Sequence, residues 1–258
     1  MNLGEILRIL FFGFPVPSEM IDPNYPEFFQ RIGGLQLTAV ITILSLFLGA
    51  PLGLVLALFR TGRKQRHEAS NKIREFYFSV RWIATILVEG VRAMPLIILV
   101  LLAFYLPFRL FGMRVPPVIL AVGAFTLYGG VYLSEVFRSG FNAVDEGCIH
   151  AAKVLGLTRR QILMRIKLPI AIRAMVPTFL NLSITVFKDT SVLVVVAVPE
   201  ITYSGRSLLV AMPASYSLVL FLIILIYWTL ATTGSAMAHW LESKWGKTKE
   251  MLGGATLG

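Results

Sequence analysis

Five long apolar runs with few charged side chains dominate this 258-residue sequence. They extend over about 35–59, 80–106, 118–137, 172–198 and 208–237. A helix of roughly 20 apolar residues crosses about 30 Å of hydrocarbon, and each run is long enough to do so with some tilt. Charged residues make up 15% of the chain, against about 25% in typical soluble domains. The sequence therefore predicts an all-α integral membrane protein with about five transmembrane helices.

The distribution of basic residues predicts the orientation of these helices. The loops after the first and third runs and the C-terminal tail together contain Arg60, Arg63, Lys64, Arg66, Lys72, Arg74, Arg81, Arg138, Lys153, Arg159, Arg160, Arg165, Lys167, Arg173, Lys244, Lys247 and Lys249. The opposite side has only Arg8, Arg31, Arg109, Arg114 and Arg206. Because cytoplasmic loops are enriched in Lys and Arg, we expect a multi-pass protein of the bacterial inner membrane. Its N-terminus lies outside and its C-terminus in the cytoplasm.

Several other classes of function are disfavoured. The net charge of +10 lies in loops between apolar runs and no nucleic-acid-binding signature accompanies it, so we expect no nucleic-acid partner. The Gly-Lys-Thr at 246–248 lacks the glycine that a phosphate loop needs five positions earlier, where Leu241 stands. The scattered histidines do not form a metal site. We predict no catalytic residue and no metal site, and any ATP hydrolysis comes from a partner.

The first apolar run contains Gly49 and Gly53 on either side of Pro51. Small residues allow neighbouring membrane helices to approach closely, and a membrane proline needs neighbours that satisfy the freed carbonyl. The pattern favours a packed and kinked helix over a direct role in function.

The loop between the third and fourth runs has the pattern of two short helices. Asp145 and Glu146 suit the first turn of a helix over 145–155, and Gly156 follows as its C-terminal cap. Thr158 and Gln161 form a capping-box pattern that begins a second, amphipathic helix. Such an element can dock a partner or lie flat on anionic lipid, and both remain open on these grounds.

Two details of this loop carry further expectations. The small side chains of Ala151 and Ala152 would allow another surface to approach the first helix closely. Pro169 is expected to interrupt the second helix before the fourth apolar run.

Ionisable residues inside the apolar runs form two pairs at helical spacing. Glu89 and Arg92 are three residues apart, as are Glu135 and Arg138, so each pair can meet on one helix face in the inner half of the membrane. Charges in membrane helices suggest function by default. We interpret the pairs as structural ion pairs that hold a cytoplasmic gate. The alternative is that Glu135 or Arg92 binds charged groups of a substrate.

Three further polar residues lie near the membrane midplane. Lys188 and Asp189 are adjacent and point about 100° apart on a helix, so they do not form a simple same-face pair. At least one of them is expected to face a water-filled path or a partner helix. Together with Thr190, they are our candidates for a substrate pathway.

The loop residues resemble a known motif. The sequence resembles the EAA loop of ABC-importer permeases, in which EAA, three residues, glycine, nine residues and I-x-L-P follow in order. The matching residues are Ala151, Ala152, Gly156, Ile166, Leu168 and Pro169, while His150 replaces the glutamate. Further motifs are similar to the polar amino-acid permeases of the histidine/glutamine type: 89–96, 126–128, 135–138, 188–191 and 198–200. The resemblance extends over about 34–240.

The resemblance implies a type I ABC-importer permease fold with a cytoplasmic coupling-helix loop at about 139–171. It implies two permease subunits, a dimer of cytoplasmic ATPases that bind ATP and Mg²⁺, and an extracytoplasmic amino-acid-binding protein. The permease carries no cofactor of its own and contacts membrane lipid. The implied ATPase-coupling residues are Glu146, His150, Ala151, Ala152, Gly156, Leu157, Leu168 and Pro169. Because His150 stands in place of the family glutamate, any contact that the glutamate makes with the ATPase would be weaker in this chain. This suggests that the chain is the divergent subunit of a heterodimer.

The expected organisation is an extracytoplasmic or interfacial segment over 1–33, a permease domain over 34–240 and a cytoplasmic tail over 241–258. The alternative function is an ion-coupled secondary transporter or channel without an ATPase. It predicts inverted repeats or interrupted helices in matched halves, which the sequence lacks. A membrane scaffold would not need charges inside its spans. The sequence does not indicate which amino acid is carried or whether the two permease subunits are identical.

Overall fold

The computed structural model describes residues 3–14, 33–61 and 71–253, with side chains described throughout except at 71–77 and 246–253. Most of the N-terminal segment and the basic residues at 63, 64 and 66 lie outside this description. The α-helices are α1 (Leu3–Phe12), α2 (Gly34–Thr61), α3 (Asn71–Ala93), α4 (Leu96–Phe111), α5 (Pro117–Asn142), α6 (Glu146–Val154), α7 (Arg159–Ile162), α8 (Leu168–Asp189), α9 (Ile201–Ala211) and α10 (Tyr216–Gly253).

Four helical stretches within the described residues are long and apolar enough to cross a membrane. They are Gly34–Thr61, Pro117–Asn142, Arg159–Val196 and Pro213–Trp245. The bent pair α3 and α4 brings the number to five if it is counted as one span. The all-α membrane fold is therefore confirmed, with four to five candidate spans.

The central helix α5 packs most extensively against α2. A Cβ atom placed on Gly53 would lie 2.6 Å from the carbonyl oxygen of Gly130, and one on Gly49 would lie 2.9 Å from the Gly130 nitrogen. Only glycine allows the two backbones to come this close. The expectation that these glycines serve helix packing is confirmed.

The second predicted span is wrong in shape. We expected one helix over 80–106, but α3 ends at Ala93, α4 begins at Leu96, and the two are bent by 109°. Pro95 precedes α4 with φ −57° and ψ 134°, outside the helical region. Its ring restricts the residue before it to extended backbone, which ends α3 within an otherwise apolar run.

The boundary between the fourth and fifth predicted spans also differs. α8 ends at Asp189 and is followed directly by a 3₁₀-helix over Thr190–Val196. Ala197, which caps this 3₁₀-helix, has φ 57°. Leu208, expected to begin the fifth span, lies instead in α9, and α10 begins at Tyr216 after a short 3₁₀ turn. Most residues on both sides of this turn are hydrophobic, so hydropathy alone did not reveal that the helix is broken between α9 and α10.

The start of α2 is attached to the start of α9. The Gly34 N–H donates to the Pro199 carbonyl at 2.9 Å, and the Ile201 N–H donates to the Thr38 hydroxyl oxygen at 3.2 Å. α1 packs Ile6, Ile9 and Leu10 against α9 and α10. The first and last parts of the described chain therefore share one core.

Glu200 is a fully buried carboxylate at the N-terminus of α9. It accepts hydrogen bonds from the Thr202 N–H at 2.9 Å and the Tyr203 N–H at 2.8 Å, and the Tyr227 hydroxyl lies 3.5 Å away. The two N–H donors favour the charged form. Burial outweighs them and raises the pKa of Glu200 to about 7.

We expect this carboxyl to make the stability of the protein pH-dependent. With a folded pKa of about 7 against a reference of 4.5, the folded state binds the proton more tightly. The stabilisation is therefore complete below pH 4.5 and is lost as the pH rises through 7, by up to about 3 kcal/mol. The measurement is Tm at pH 5 and at pH 8. The decrease in Tm between these two pH values should be roughly 10 °C larger for the wild type than for Glu200→Gln. Equal falls in both proteins would contradict this role.

Candidate functional site

The first helix of the loop, α6, is capped at both ends as its sequence predicts. The Asp145 carboxylate accepts from the Cys148 N–H at 3.2 Å. At the other end, the Leu157 N–H donates to the Ala152 carbonyl at 3.1 Å, while Gly156 adopts φ 75°. This pattern is a Schellman cap, which requires the left-handed conformation that glycine adopts without strain. The predicted helix and its glycine cap are confirmed.

The second predicted helix is not a separate element. Thr158 and Gln161 form the expected capping box at the start of α7. α7 then continues through a π-helical turn, Leu163–Lys167, directly into α8, so that Arg159–Val196 is one helical stretch of 38 residues. The expectation that Pro169 interrupts the helix is wrong. Pro169 lies in the first turn of α8, where the missing N–H of a proline is tolerated. The residue before it, Leu168, donates its N–H to the Leu163 carbonyl and so completes the π-helical turn.

The surface of α6 differs from the expectation in one respect. Ala151 is exposed, as a close-approach surface requires, but Ala152 is buried within the chain and is not available to a partner. These neighbours point about 100° apart, and in α6 Ala151 faces outward while Ala152 packs against the rest of the chain. Of the other predicted coupling residues, Glu146, His150, Gly156 and Pro169 are exposed and Leu157 and Leu168 are partly buried.

Two residues that the sequence did not single out dominate the tip of α6. Val154 is 88% exposed and Leu155 is 79% exposed, beside the glycine cap. Large apolar side chains that protrude together from a capped helix indicate a contact surface. We call Val154 and Leu155 the apolar tip of α6. Their position next to Gly156 was the one sequence signal that could have indicated their exposure. A nine-residue helix is too short for its periodicity to show which side faces outward.

The charged residues near the end of α2 form one cluster across three helices. Arg138 donates to Glu135 at 2.6 Å, and Arg92 lies 3.7 Å from Glu89 and 3.5 Å from Glu135. The two residues of each predicted pair therefore contact each other, and Arg92 also links the two pairs through Glu135. Arg60 of α2 joins them, with distances of 2.5 Å to Glu135 and 2.9 Å to Glu89.

Arg60 is the member of this cluster that the sequence analysis missed. It had been counted among the loop cations because it lies at the end of the first apolar run. Its side chain is only 12% exposed, and it binds carboxylates from α3 and α5 at the same time. We call Arg60, Glu89, Arg92, Glu135 and Arg138 the inner charge cluster.

Two aromatic residues on α5 connect this cluster to the end of α8. The Tyr128 hydroxyl donates to the Asp189 carboxylate at 2.7 Å, and the rings of Tyr128 and Tyr132 have centroids 4.8 Å apart. The guanidinium of Arg92 lies 6.0 Å from the centre of the Tyr132 ring. Positions 128, 132 and 135 share one face of a helix. The structure therefore brings Asp189 and the inner charge cluster into one continuous arrangement.

Lys188 and Thr190 lie apart from this arrangement. Thr190 is buried and its hydroxyl donates to the Phe187 carbonyl at 2.7 Å, whereas Lys188 is exposed on the outer surface of α8. Lys188 continues a line of exposed polar residues formed by Thr178, Asn181 and Thr185. The intervals of three, four and three residues place all four on one helix face. We call these four residues the polar stripe of α8, and only Lys188 of them was predicted.

Among the described residues, no group of three or more His, Cys, Asp or Glu side chains could hold a metal ion. An open groove of about 300 Å³ lies between α2, α8 and α10 and is lined almost entirely by apolar atoms. This groove therefore offers almost no polar contacts.

Spanning helices with an exposed polar stripe, and an apolar tip on a capped helix at one end of the bundle, define a membrane transport subunit that relies on partners. The chain belongs to the family of binding-protein-dependent transport system inner membrane components, whose model matches residues 49–247. The predictions of a permease subunit and of a multi-pass inner-membrane protein are thereby confirmed.

Individual relatives agree with this assignment. The chain is 29% identical over 92% of its length to the L-cystine transport system permease protein TcyB of Bacillus subtilis (strain 168), of which it covers 95%. It is 32% identical over 70% of its length to the glutamate/aspartate import permease protein GltK of Escherichia coli O157:H7, of which it covers 76%. A chain of the crystal structure of an amino acid ABC transporter with histidines superposes with a TM-score of 0.70 at 26% identity, covering 82% of this chain and 92% of that one.

Membership of the family identifies two kinds of partner. A binding-protein-dependent ABC transporter works with a separate ATPase subunit and with a binding protein. The chain is therefore the permease component, and ATP and Mg²⁺ belong to the ATPase.

Proposed function

We propose that this chain is one of two permease subunits of an ATP-driven importer of polar or charged amino acids. The names of the relatives support the substrate class, since they concern cystine and glutamate/aspartate. The polar stripe of α8 is the observation that carries the proposal, because it gives a single subunit half of a polar pathway.

The position of the stripe argues for a second permease subunit. Thr178, Asn181, Thr185 and Lys188 are exposed within a helix that crosses the membrane. Polar and charged groups in contact with lipid tails are costly, so such residues face a water-filled cavity or a neighbouring helix. The groove within the single chain is apolar and does not suit an amino acid. A pathway between two subunits, each contributing its polar stripe, satisfies these side chains.

Within this pathway the predicted residues have different roles. Lys188 projects into the pathway, where an ammonium group can bind a carboxylate of the substrate. Asp189 is held by Tyr128 and positions the end of α8, and Thr190 fastens the turn that follows. Glu89, Arg92, Glu135 and Arg138, together with Arg60, hold α2, α3 and α5 together on the cytoplasmic side and act as a gate.

Removal of the Lys188 charge is expected to slow uptake about tenfold to a hundredfold. A hydrogen bond to a charged group contributes about 1.5–3 kcal/mol, and methionine keeps the length of the side chain without the charge. The measurement is binding-protein-dependent uptake by proteoliposomes containing the Lys188→Met complex.

Lys244→Met is the matched control, because Lys244 is also exposed but lies on α10 beside Trp240. Its uptake should equal that of the wild type. Unchanged uptake by Lys188→Met in a complex that still assembles would reject the pathway role of Lys188.

The proposed orientation places the N-terminus outside and both α6 and the C-terminus in the cytoplasm. The excess of basic residues around α6 and α7 and in the tail supports it. Cys148, the single cysteine of the chain, is exposed on α6 and provides a direct test. A membrane-impermeant maleimide should label it in inverted vesicles that lack the ATPase and leave it unlabelled in right-side-out vesicles. Labelling only from the outside would reverse the orientation.

The second permease subunit is proposed to be a paralogue. His150 is exposed on α6 at the position where the family motif has glutamate, and an imidazole does not carry the negative charge of a carboxylate. An asymmetric pair, in which the other subunit retains the glutamate, tolerates this change. The tagged chain should therefore purify as an active complex only when the paralogue is co-expressed. An active complex containing two copies of this chain would refute the asymmetric pair.

A further inference from the structure

The directions of α2 and α5 restrict how the intervening chain crosses the membrane. Ser45 donates to the Val122 carbonyl near one end of the pair, and Arg60 contacts Glu135 near the other. Residue numbers rise together along both helices, so α2 and α5 run in the same direction. The segment between them must therefore return across the membrane once before α5 begins.

At the end of α3 the chain is still on the side of the membrane where α2 ends. Glu89, four residues before the end of α3, binds Arg60 at 2.9 Å, and Arg60 lies one residue before the end of α2. At residue 89 the chain is therefore still at the level where α2 ends. The crossing is left to α4, whose 16 residues span about 24 Å and approach the thickness of the hydrocarbon layer.

The angle between the two helices then fixes the direction of α3. The described part of α3 and α4 are bent by 109°. If α4 runs across the membrane, α3 runs nearly along its surface. α3 cannot be the first half of a continuous span, because such a span would require a bend close to zero.

The faces of α3 agree with a helix at a membrane surface. Ala84, Val88 and Val91 are buried against α2, α4 and α5. Ile83 is exposed, and it lies nine residues, or half a turn in projection, from the exposed Arg92. The helix thus has an apolar side and an opposite charged side in addition to its buried face. Trp82 and Phe78 are also exposed, and aromatic residues of this kind are enriched at the boundary between headgroups and hydrocarbon.

We infer that α3 is an interfacial helix that lies in the plane of the cytoplasmic leaflet, with lipid as the partner of its exposed face. Ile83 and Leu87 enter the upper acyl region, Trp82 lies among the headgroups, and Arg81 and Arg92 lie on the aqueous side. Lipid is favoured over a second protein because the exposed Ile83 and Leu87 lie on the side of α3 opposite the exposed Arg92, as the membrane boundary requires. The choice of leaflet rests on the orientation proposed above.

Spin-label depth measurements test this arrangement in the assembled transporter reconstituted in liposomes. Single cysteines are introduced into a Cys148→Ser background at three exposed positions of α3 and at two exposed positions of α4 as the matched control: Phe78, Trp82, Ile86, Ile98 and Leu102. Oxygen and a soluble nickel chelate report the depth of each label.

The expected result is that the labels at 78, 82 and 86 lie at one depth near the headgroups, within about 4 Å, because they follow the membrane plane. The label at 102 should lie about 6 Å deeper than that at 98. A steady change of about 12 Å from 78 to 86 would make α3 part of a span and overturn the inference. Labels on α3 that are shielded from both reagents would show a protein partner and would also overturn it.

These outcomes are separable from a failure of the proposed orientation. Reversed labelling of Cys148 would change the leaflet assigned to α3, whereas the depth profile of α3 does not depend on which side is cytoplasmic. The profile therefore tests the in-plane position by itself.

Discussion

Replacing Glu135 by alanine is expected to destabilise the permease by about 3 kcal/mol and to lower its Tm by roughly 10 °C. Glu135 contacts the guanidinium groups of Arg60, Arg92 and Arg138 from three helices. Its removal leaves Arg60, which is 12% exposed, with Glu89 as its remaining described ion-pair partner. Loss of one partner of a largely buried ion pair is costly because the other charge remains in a poorly solvated site. The measurement is thermal unfolding of the purified complex in detergent.

A double mutant separates the ion pair from the loss of packing. Arg60→Met combined with Glu135→Ala should be less destabilised than the sum of the single changes, with a coupling of about 1–2 kcal/mol. The matched control is Glu242→Ala, which removes an exposed carboxylate 3.7 Å from His239 at the same i,i+3 spacing. An exposed pair of this kind should change Tm by no more than about 1 °C. Equal effects at Glu135 and Glu242 would show that the inner charge cluster does not hold the helices together.

Replacing both Val154 and Leu155 by aspartate is expected to reduce the affinity for the ATPase at least 100-fold. Burial of a valine or leucine side chain in a partner contributes about 1.5–3 kcal/mol, so loss of two such contacts exceeds 2.7 kcal/mol. Both side chains protrude from α6, so the permease itself should fold normally. The measurement is retention of the ATPase on the tagged permease, followed by ATP-dependent uptake.

Val210→Asp provides the matched control for this change. Val210 is 77% exposed and lies on α9, away from α6. It should leave the ATPase bound, because the same charge is placed on an exposed valine outside the apolar tip of α6. If Val154→Asp/Leu155→Asp retained the ATPase as well as Val210→Asp does, the apolar tip of α6 would not be the docking contact.

Local sequence chemistry predicted the coupling segment well because its signals lie within a few residues of one another. The Asp145 cap, the Gly156 cap and the Thr158–Gln161 box form as expected. Pro169 was misinterpreted because the sequence does not distinguish a proline that ends a helix from one that occupies its first turn. The π-turn before it keeps the helix continuous, and no sequence rule indicated that turn.

Features that depend on tertiary contacts were harder to predict. Arg60 was assigned to a loop because its two carboxylate partners are 29 and 75 residues away in the sequence. The bend after Ala93 is hidden within a continuous apolar run, although Pro95 marked the place. The polar stripe of α8 was accessible in principle, since Thr178, Asn181, Thr185 and Lys188 have helical spacing. The search for charged residues passed over its uncharged members.

Uptake by proteoliposomes tests the central claim that this chain is the permease of an ATP-driven, binding-protein-dependent importer. The vesicles contain the chain with its second permease subunit and ATPase, and they receive ATP inside and amino-acid-loaded binding protein outside. We expect uptake of a polar amino acid that stops when either ATP or the binding protein is omitted and that is unaffected by collapse of ion gradients. Uptake that continues without ATP and follows an imposed ion gradient would contradict this account and would identify a secondary transporter.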